Sequence, residues 1–383
     1  MNQQLFEKSK LGNGPKRMLT LDGGGIRGIL TLGILKKIEE LARQQTNNKD
    51  LLLSEYYDLI SGTSTGAIIA CGLAIGKTVQ QLTDLYLGLG KEIFGEGRKK
   101  KWLKRSWTTV RSLFSENYSS ANLEKYLRDT FGEISLGDDN HIKCGLAINS
   151  KRADTYSLWT VANHPAGKYF QANAHLKLWE LCRASSAAPY YFKPKKLVLK
   201  TRQGESFQAT FIDGGVSLAN NPAWQTFLVA THPSFGFTWN FGKDNLLITS
   251  LGTGNGQTKE NADKLENLKT IMWAPKLSDL FMVDALEMNQ IMLEIFGQSA
   301  VSNFTVDSQF EDLSKFPLLE KEKKLFTFQR HNVKLIKNEL EFFSTTLDDE
   351  KIESLKKMDY HENMQLLLQI GEEYGQKFVT DIL

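Results

Sequence analysis

The chain has little of what staples, tethers or inserts a protein. It carries three cysteines in 383 residues, Cys71, Cys144 and Cys182, odd in number, far apart and without a Cys-x-x-Cys pair. That pattern excludes a disulfide framework and a cysteine-based zinc site, and it fits a reducing, cytoplasmic setting. The longest apolar run, 67–76, is too short to span a bilayer, and the opening Met1-Asn2-Gln3-Gln4-Leu5-Phe6-Glu7-Lys8 lacks the apolar stretch of a secretory signal. Contact with a membrane is therefore expected to be peripheral, at the inner face. Charge of one sign is also scarce. Lys and Arg number 47 against 44 Asp and Glu, a formal balance of +3, which argues against a whole-surface nucleic-acid binder. No proline- or glycine-rich linker, internal repeat or low-complexity tract divides the chain. The apolar share, 41% with 10% aromatic residues, is enough for a substantial core.

Glycine is concentrated in two turns. Asp22-Gly23-Gly24-Gly25-Ile26-Arg27-Gly28 is a loop of bare backbone amides, against which an anion can sit where the loop enters a helix. Gly62-Thr63-Ser64-Thr65-Gly66 has the form of a sharp strand-to-helix turn that pushes one serine hydroxyl out at the top of a sheet. An anion cradle beside an exposed serine is the equipment of acyl transfer.

The surrounding pattern supports an α/β fold. Residues 17–21 read as a buried strand delivering the glycine loop, and Ile29, Leu32, Leu35, Ile38 and Leu41 mark the apolar face of the helix that follows. Residues 56–60 form a second strand leading to Ser64, followed by an apolar helix over 67–75. Further strands are expected at 142–148, 207–212 and 246–251, and a short one at 325–328. Strands alternating with helices predict a largely parallel sheet covered on both faces. After about residue 256 helical periodicity dominates, in 277–296 and 360–380. We expect residues 1–255 to form the catalytic domain and 256–383 a mainly helical extension packed on the same core.

A serine nucleophile needs a base. Asp213 closes the strand 207–212 and precedes Gly214-Gly215, so its carboxylate is expected at the same carboxyl edge of the sheet as Ser64. Small-residue turns accompany it: Ala184-Ser185-Ser186-Ala187-Ala188-Pro189, Asn220-Asn221-Pro222 and Ser250-Leu251-Gly252-Thr253-Gly254. With its glycine loop, serine turn, Ala-Ser-Ser-Ala-Ala-Pro turn and Asp-Gly-Gly in that order over residues 17–255, the chain resembles the patatin-like phospholipases. The resemblance implies a three-layer α/β/α fold with a mostly parallel sheet and additional C-terminal helices. It implies a Ser64–Asp213 dyad, an oxyanion hole from the amides of Gly23, Gly24 and Gly25, and lipid acyl hydrolysis needing neither metal nor cofactor. Some bacterial relatives in that family are phospholipases switched on by cyclic nucleotides in antiviral defence. A ligand-gated effector with a small-molecule nucleotide activator is thus a second reading, and a homo-oligomer is compatible with either.

Other readings of the same residues remain open at this level. Gly23 to Gly28 also satisfies Gly-x-Gly-x-x-Gly, the dinucleotide-binding pattern, although Asp22 would repel a pyrophosphate. Ser64 and Asp213 would suit a triad with His232 or His331, and Asp213 before two glycines is also an ordinary turn former. Arg27 either steadies the loop or meets a phosphate head group. Finally, Arg98-Lys99-Lys100-Lys101-Trp102-Leu103-Lys104-Arg105-Ser106-Trp107 packs six positive charges into eight positions beside two tryptophans. Basic residues mixed with Trp suit docking on an anionic phospholipid surface better than binding nucleic acid.

Overall fold

The computed structural model describes residues 11, 14–95, 118–189, 191–256, 262–268, 270–301, 313, 317–343 and 347–383. The strands are β1 (Lys16–Leu21), β2 (Leu59–Thr63), β3 (Gly145–Arg152), β4 (Leu158–Ala162), β5 (Lys195–Lys200), β6 (Ser206–Asp213), β7 (Leu246–Leu251), β8 (Gly297–Val301) and β9 (Phe326–His331). They form one sheet in the order β5-β6-β3-β2-β1-β7-β9-β8, with β4 paired to β3 off this path. From β3 through β8 the pairing along that path is parallel; β4 and β6 run antiparallel to β3, and β5 antiparallel to β6. The fold is therefore mixed α/β with a mostly parallel centre.

Two apolar clusters lie on the two faces of this sheet, because consecutive strand residues point to opposite sides. Met18 of β1 and Leu59 of β2 join one cluster with Phe227, Trp239, Phe326 and Phe328, whereas their neighbours Leu19 and Ile60 join the other. The second cluster takes the helices α1 (Gly28–Thr46), α2 (Thr65–Ala74), α3 (Val79–Leu89), α4 (Ser120–Phe131) and α5 (Leu178–Ser185). The first takes α6 (Ala223–Thr231) and the end of α7 (Thr270–Phe296), through Phe227 and Leu293. Central strands buried on both faces read as near-continuous apolar runs, which is why β1, β2 and β7 were legible in the sequence.

Chain beyond residue 256 completes the sheet. β9 lies parallel to β7, with Leu251 opposite His331, and β8 forms the edge. The last long helix, α8 (Met364–Phe378), buries Leu367, Leu368 and Ile370 in the same cluster as Leu30 and Ile34 of α1. Lys36 and Glu372 pair across that contact.

One topological detail positions the site. β4 occupies one edge of β3 along Ala147–Lys151, so β2 and β6 must share the other. On that shared edge β2 runs up to Thr63 opposite Asn149, and β6 comes from the opposite direction to Asp213 opposite Ser150. The two strands meet end to end. The sequence places Asp213 at the same carboxyl edge of the sheet as Ser64; the two do meet there, but β6 runs antiparallel to β3 and reaches that edge head-on to β2.

Candidate active site

Ser64 leaves β2 with φ 54° and ψ −121°, a strained conformation for a residue with a Cβ. The turn is affordable only because the chain passes through glycines beside it. A Cβ on Gly66 would stand 2.1 Å from the Leu21 carbonyl oxygen, and one on Gly62 would stand 2.1 Å from that of Gly66. The Ser64 N–H donates to Ser185 Oγ at 2.8 Å, and that hydroxyl donates to the Asn149 carbonyl at 2.6 Å. Ser185 belongs to the small-residue turn noted in the sequence, and here it braces the strained serine.

The Ser64 hydroxyl donates to Asp213 Oδ2 at 2.6 Å, and Asp213 Oδ1 accepts from the Gly215 N–H at 2.6 Å. Ser64 is 8% and Asp213 5% exposed. Burial pushes the Asp213 pKa up to about 6, against the opposing pull of the bonds from Ser64 and Gly215. Among the described residues no histidine hydrogen-bonds to either side chain. His232 is exposed and accepts from Ser234 N–H. His331 is buried at the end of β9 with its ring edge-on to Tyr374, and burial and Arg330 lower its pKa to about 4. The structure thus brings Ser64 and Asp213 together and leaves His232 and His331 elsewhere.

The glycine loop lies directly against the serine. A Cβ on Gly23 would come within 3.1 Å of Ser64 Cβ. Its three amides are not equivalent. Gly23 N–H donates to the Asn220 carbonyl at 3.1 Å, whereas Gly24 and Gly25 N–H have no acceptor among the described residues. Thr253 Oγ1 donates to the Gly23 carbonyl at 3.0 Å, so both backbone groups of Gly23 are held, one by the segment that follows β6 and one by the segment that follows β7. Arg27 is buried, and its Nε donates to the Gly24 carbonyl at 3.4 Å. Burial lowers its pKa to about 10. The Arg27 side chain thus bonds back onto its own loop.

Asp22, which opens the loop, is gripped by Arg330 of β9 in a two-point ion pair, with Nη1 2.8 Å from Oδ1 and Nη2 2.5 Å from Oδ2. Arg330 had no signal in the sequence, since its role depends on β9 joining the sheet 308 residues later. The basic run Arg98, Lys99, Lys100, Lys101, Trp102, Lys104, Arg105 and Trp107 lies outside the described residues. Among the described residues no group of three or more His, Cys, Asp and Glu side chains is placed to hold a metal, and no helix is long and apolar enough to cross a membrane.

A strained serine hydrogen-bonded to a buried carboxylate, at the rim of a three-layer α/β/α sheet, defines a serine hydrolase. The patatin-like phospholipase model matches residues 19–227, and the chain belongs to that family. It is accordingly a lipid acyl hydrolase. Two Solanum tuberosum proteins illustrate the similarity: Patatin-04/09 is 24% identical over 377 residues and Patatin-07 26% identical over 378, each alignment covering 95% of this chain and 84% of the relative. The solved structure of human GIVD cytosolic phospholipase A2 superimposes with a TM-score of 0.47 at 10% identity, over 98% of this chain and 64% of that one.

Proposed function

We propose that the chain is a phospholipase A-type enzyme that cleaves membrane phospholipid esters with Ser64 as nucleophile and Asp213 as its base. The observation that carries this reading is the 2.6 Å bond from the strained Ser64 hydroxyl to a buried Asp213 carboxylate with no histidine between them. Asp213 takes the Ser64 proton as Oγ bonds to the ester carbonyl carbon. The carbonyl oxygen, now an anion, is met by the unpaired amides of Gly24 and Gly25; Gly23 contributes by shaping the loop. When the tetrahedral intermediate collapses, the protonated Asp213 returns its proton to the departing lysolipid oxygen. A water then attacks the acyl-enzyme with Asp213 as base, releasing fatty acid and restoring Ser64. A carboxylate raised to about 6 is a stronger base than an exposed one and still ionised at neutral pH.

Residues 256–383 are proposed as part of this unit rather than an appendage, supported by β9 pairing with β7 and by Arg330 holding Asp22. The basic run 98–107 is proposed to dock the enzyme, from the cytoplasm, on an anionic membrane, each cation contributing about 1 kcal/mol near the surface.

The test is incubation of purified protein with mixed phospholipid vesicles, with and without cyclic nucleotides, and identification of fatty acids and lysolipids by mass spectrometry. Release by wild type and none by Ser64→Ala or Asp213→Asn is the expected result. Release only when a nucleotide is added would establish the gated alternative.

A further inference from the structure

One peptide of the glycine loop is held at both ends. The Gly25 carbonyl accepts from the Tyr86 hydroxyl of α3, and the N–H of the same peptide, on Ile26, donates to the Met358 carbonyl at 2.9 Å. The Tyr86 hydroxyl also pairs with the hydroxyl of Thr65, the residue after the nucleophile. A tyrosine hydroxyl has one proton. With that proton on Gly25, Thr65 is the donor to Tyr86, and a relay runs from Thr65 through Tyr86 to Gly25. The surroundings leave room for this relay and little else. A Cβ on Gly28 would stand 2.7 Å from Thr65 Oγ1 and 3.1 Å from the Tyr86 hydroxyl oxygen, and one on Gly25, at φ 60°, would stand 2.4 Å from the Met358 oxygen.

The Met358 side of the clamp is itself secured. Asp359 accepts from the Tyr118 hydroxyl at 2.7 Å. Asn363, fully buried, accepts from Lys351 Nζ at 2.7 Å and donates to Ser354 Oγ at 3.0 Å. Burial raises the Tyr86 pKa, which keeps its hydroxyl neutral and a donor.

Oxyanion donors act only within a narrow range of distance, about 2.7–3.1 Å from the developing charge. Glycine leaves the loop free to swing its amides out of that range. We propose that Tyr86 is a positioning residue: by tying the Gly25 carbonyl to Thr65, it fixes the Gly24 and Gly25 amides relative to Ser64. The inference rests on the oxyanion role proposed above for those amides.

A double-mutant cycle on full-length protein tests it, using a soluble nitrophenyl ester and a fluorophosphonate probe that reacts with the serine. Tyr86→Phe should lower kcat by about 10- to 100-fold, with KM within about threefold. Fluorophosphonate labelling should slow in parallel. Thr65→Val should cause a similar loss, Thr65→Ser should retain activity, and the double variant should be no worse than either single one. Thermal melting checks that each variant is folded. If Tyr86→Phe melts early, the contrast between Thr65→Val and Thr65→Ser carries the test. A Tyr86→Phe or Thr65→Val kcat within about twofold of wild type, or losses that multiply in the double variant, would overturn the proposal. Ser64→Ala run alongside separates the two levels. If it still turns over, the nucleophile assignment fails together with this inference; if it is inert while Tyr86→Phe is fully active, the inference alone fails.

Discussion

Asp22 and Asp213 are both buried aspartates in the serine neighbourhood, one just after β1 and the other ending β6, yet their partners differ in kind. Asp22 faces the Arg330 guanidinium in a two-point ion pair, while Asp213 faces a serine hydroxyl and one backbone amide. Burial raises the pKa of each. At Asp22 Arg330 opposes that rise, so charge on the carboxylate is matched by charge on its partner. At Asp213 no cation is among the causes of the shift. A neutral hydroxyl donor leaves the carboxylate able to accept a proton, whereas the Arg330 charge beside Asp22 works against protonation there. Under the proposed mechanism the difference separates an acid that serves the scaffold from one poised for chemistry.

The largest expected effect breaks the comparison on the Asp213 side. Asp213→Asn and Ser64→Ala should each reduce ester turnover by about 10⁴-fold or more, the scale seen when a member of a hydrolytic serine constellation is removed. Single substitutions of His232 and His331 should leave kcat within a few-fold, as neither ring touches the dyad. Equal loss on changing either histidine would restore a triad.

Breaking the Asp22 side should cost stability. Asp22→Asn leaves the Arg330 charge without its counter-ion at a largely buried site, a loss on the order of 3 kcal/mol measurable by denaturant unfolding. Activity per folded molecule should also fall, because the glycine loop begins at that residue. An unchanged unfolding midpoint would mean that the pair contributes nothing to the fold.

Asp213→Asn should shift stability the other way. A folded-state pKa of about 6, above the unfolded value of 3.8, means that the native state binds the proton more tightly. Stability is then fully present at low pH and is lost as pH rises from 3.8 to about 6. Removing the ionisable group should recover on the order of 3 kcal/mol at pH 7 and little near pH 4. A variant that is inactive and yet more stable would show a site strained for function.

The smallest effect lies in the pH profile. The proposed base must be ionised, so kcat/KM should fall about tenfold per unit below pH 6 and level off above it, measured on a soluble ester. A profile flat down to pH 5 would remove Asp213 from the base role.

The glycine loop and the serine turn were legible from residue types alone, because only certain residues tolerate those backbones. Gly66 must lie against Leu21, and Ser64 needs small neighbours to adopt φ 54°. The buried strands were legible as apolar runs. β4, β5 and β8 were not, since Leu158–Ala162 is short and only part-buried, Lys195–Lys200 has just three apolar residues between lysines, and Gly297–Val301 lies at the sheet edge. Apolar pattern alone puts the second strand at 56–60, three residues early at its start, because Tyr56 and Tyr57 are aromatic and buried but precede the sheet.

By itself, then, the sequence determined the family, the alternating architecture and the identities of Ser64 and Asp213 as a pair worth testing, because backbone strain and close packing restrict which residues can occupy such turns. The tertiary structure decided how they meet. The head-on approach of β6 to β2 along β3, the engagement of Gly23 by Asn220, the grip of Arg330 on Asp22 and the clamp of Tyr86 and Met358 on the Gly25–Ile26 peptide all join segments far apart in the chain. Local pattern records what each backbone tolerates. Which distant side chain supplies a hydrogen bond or a counter-charge is set only when strands choose their neighbours, and that choice is a property of the whole sheet.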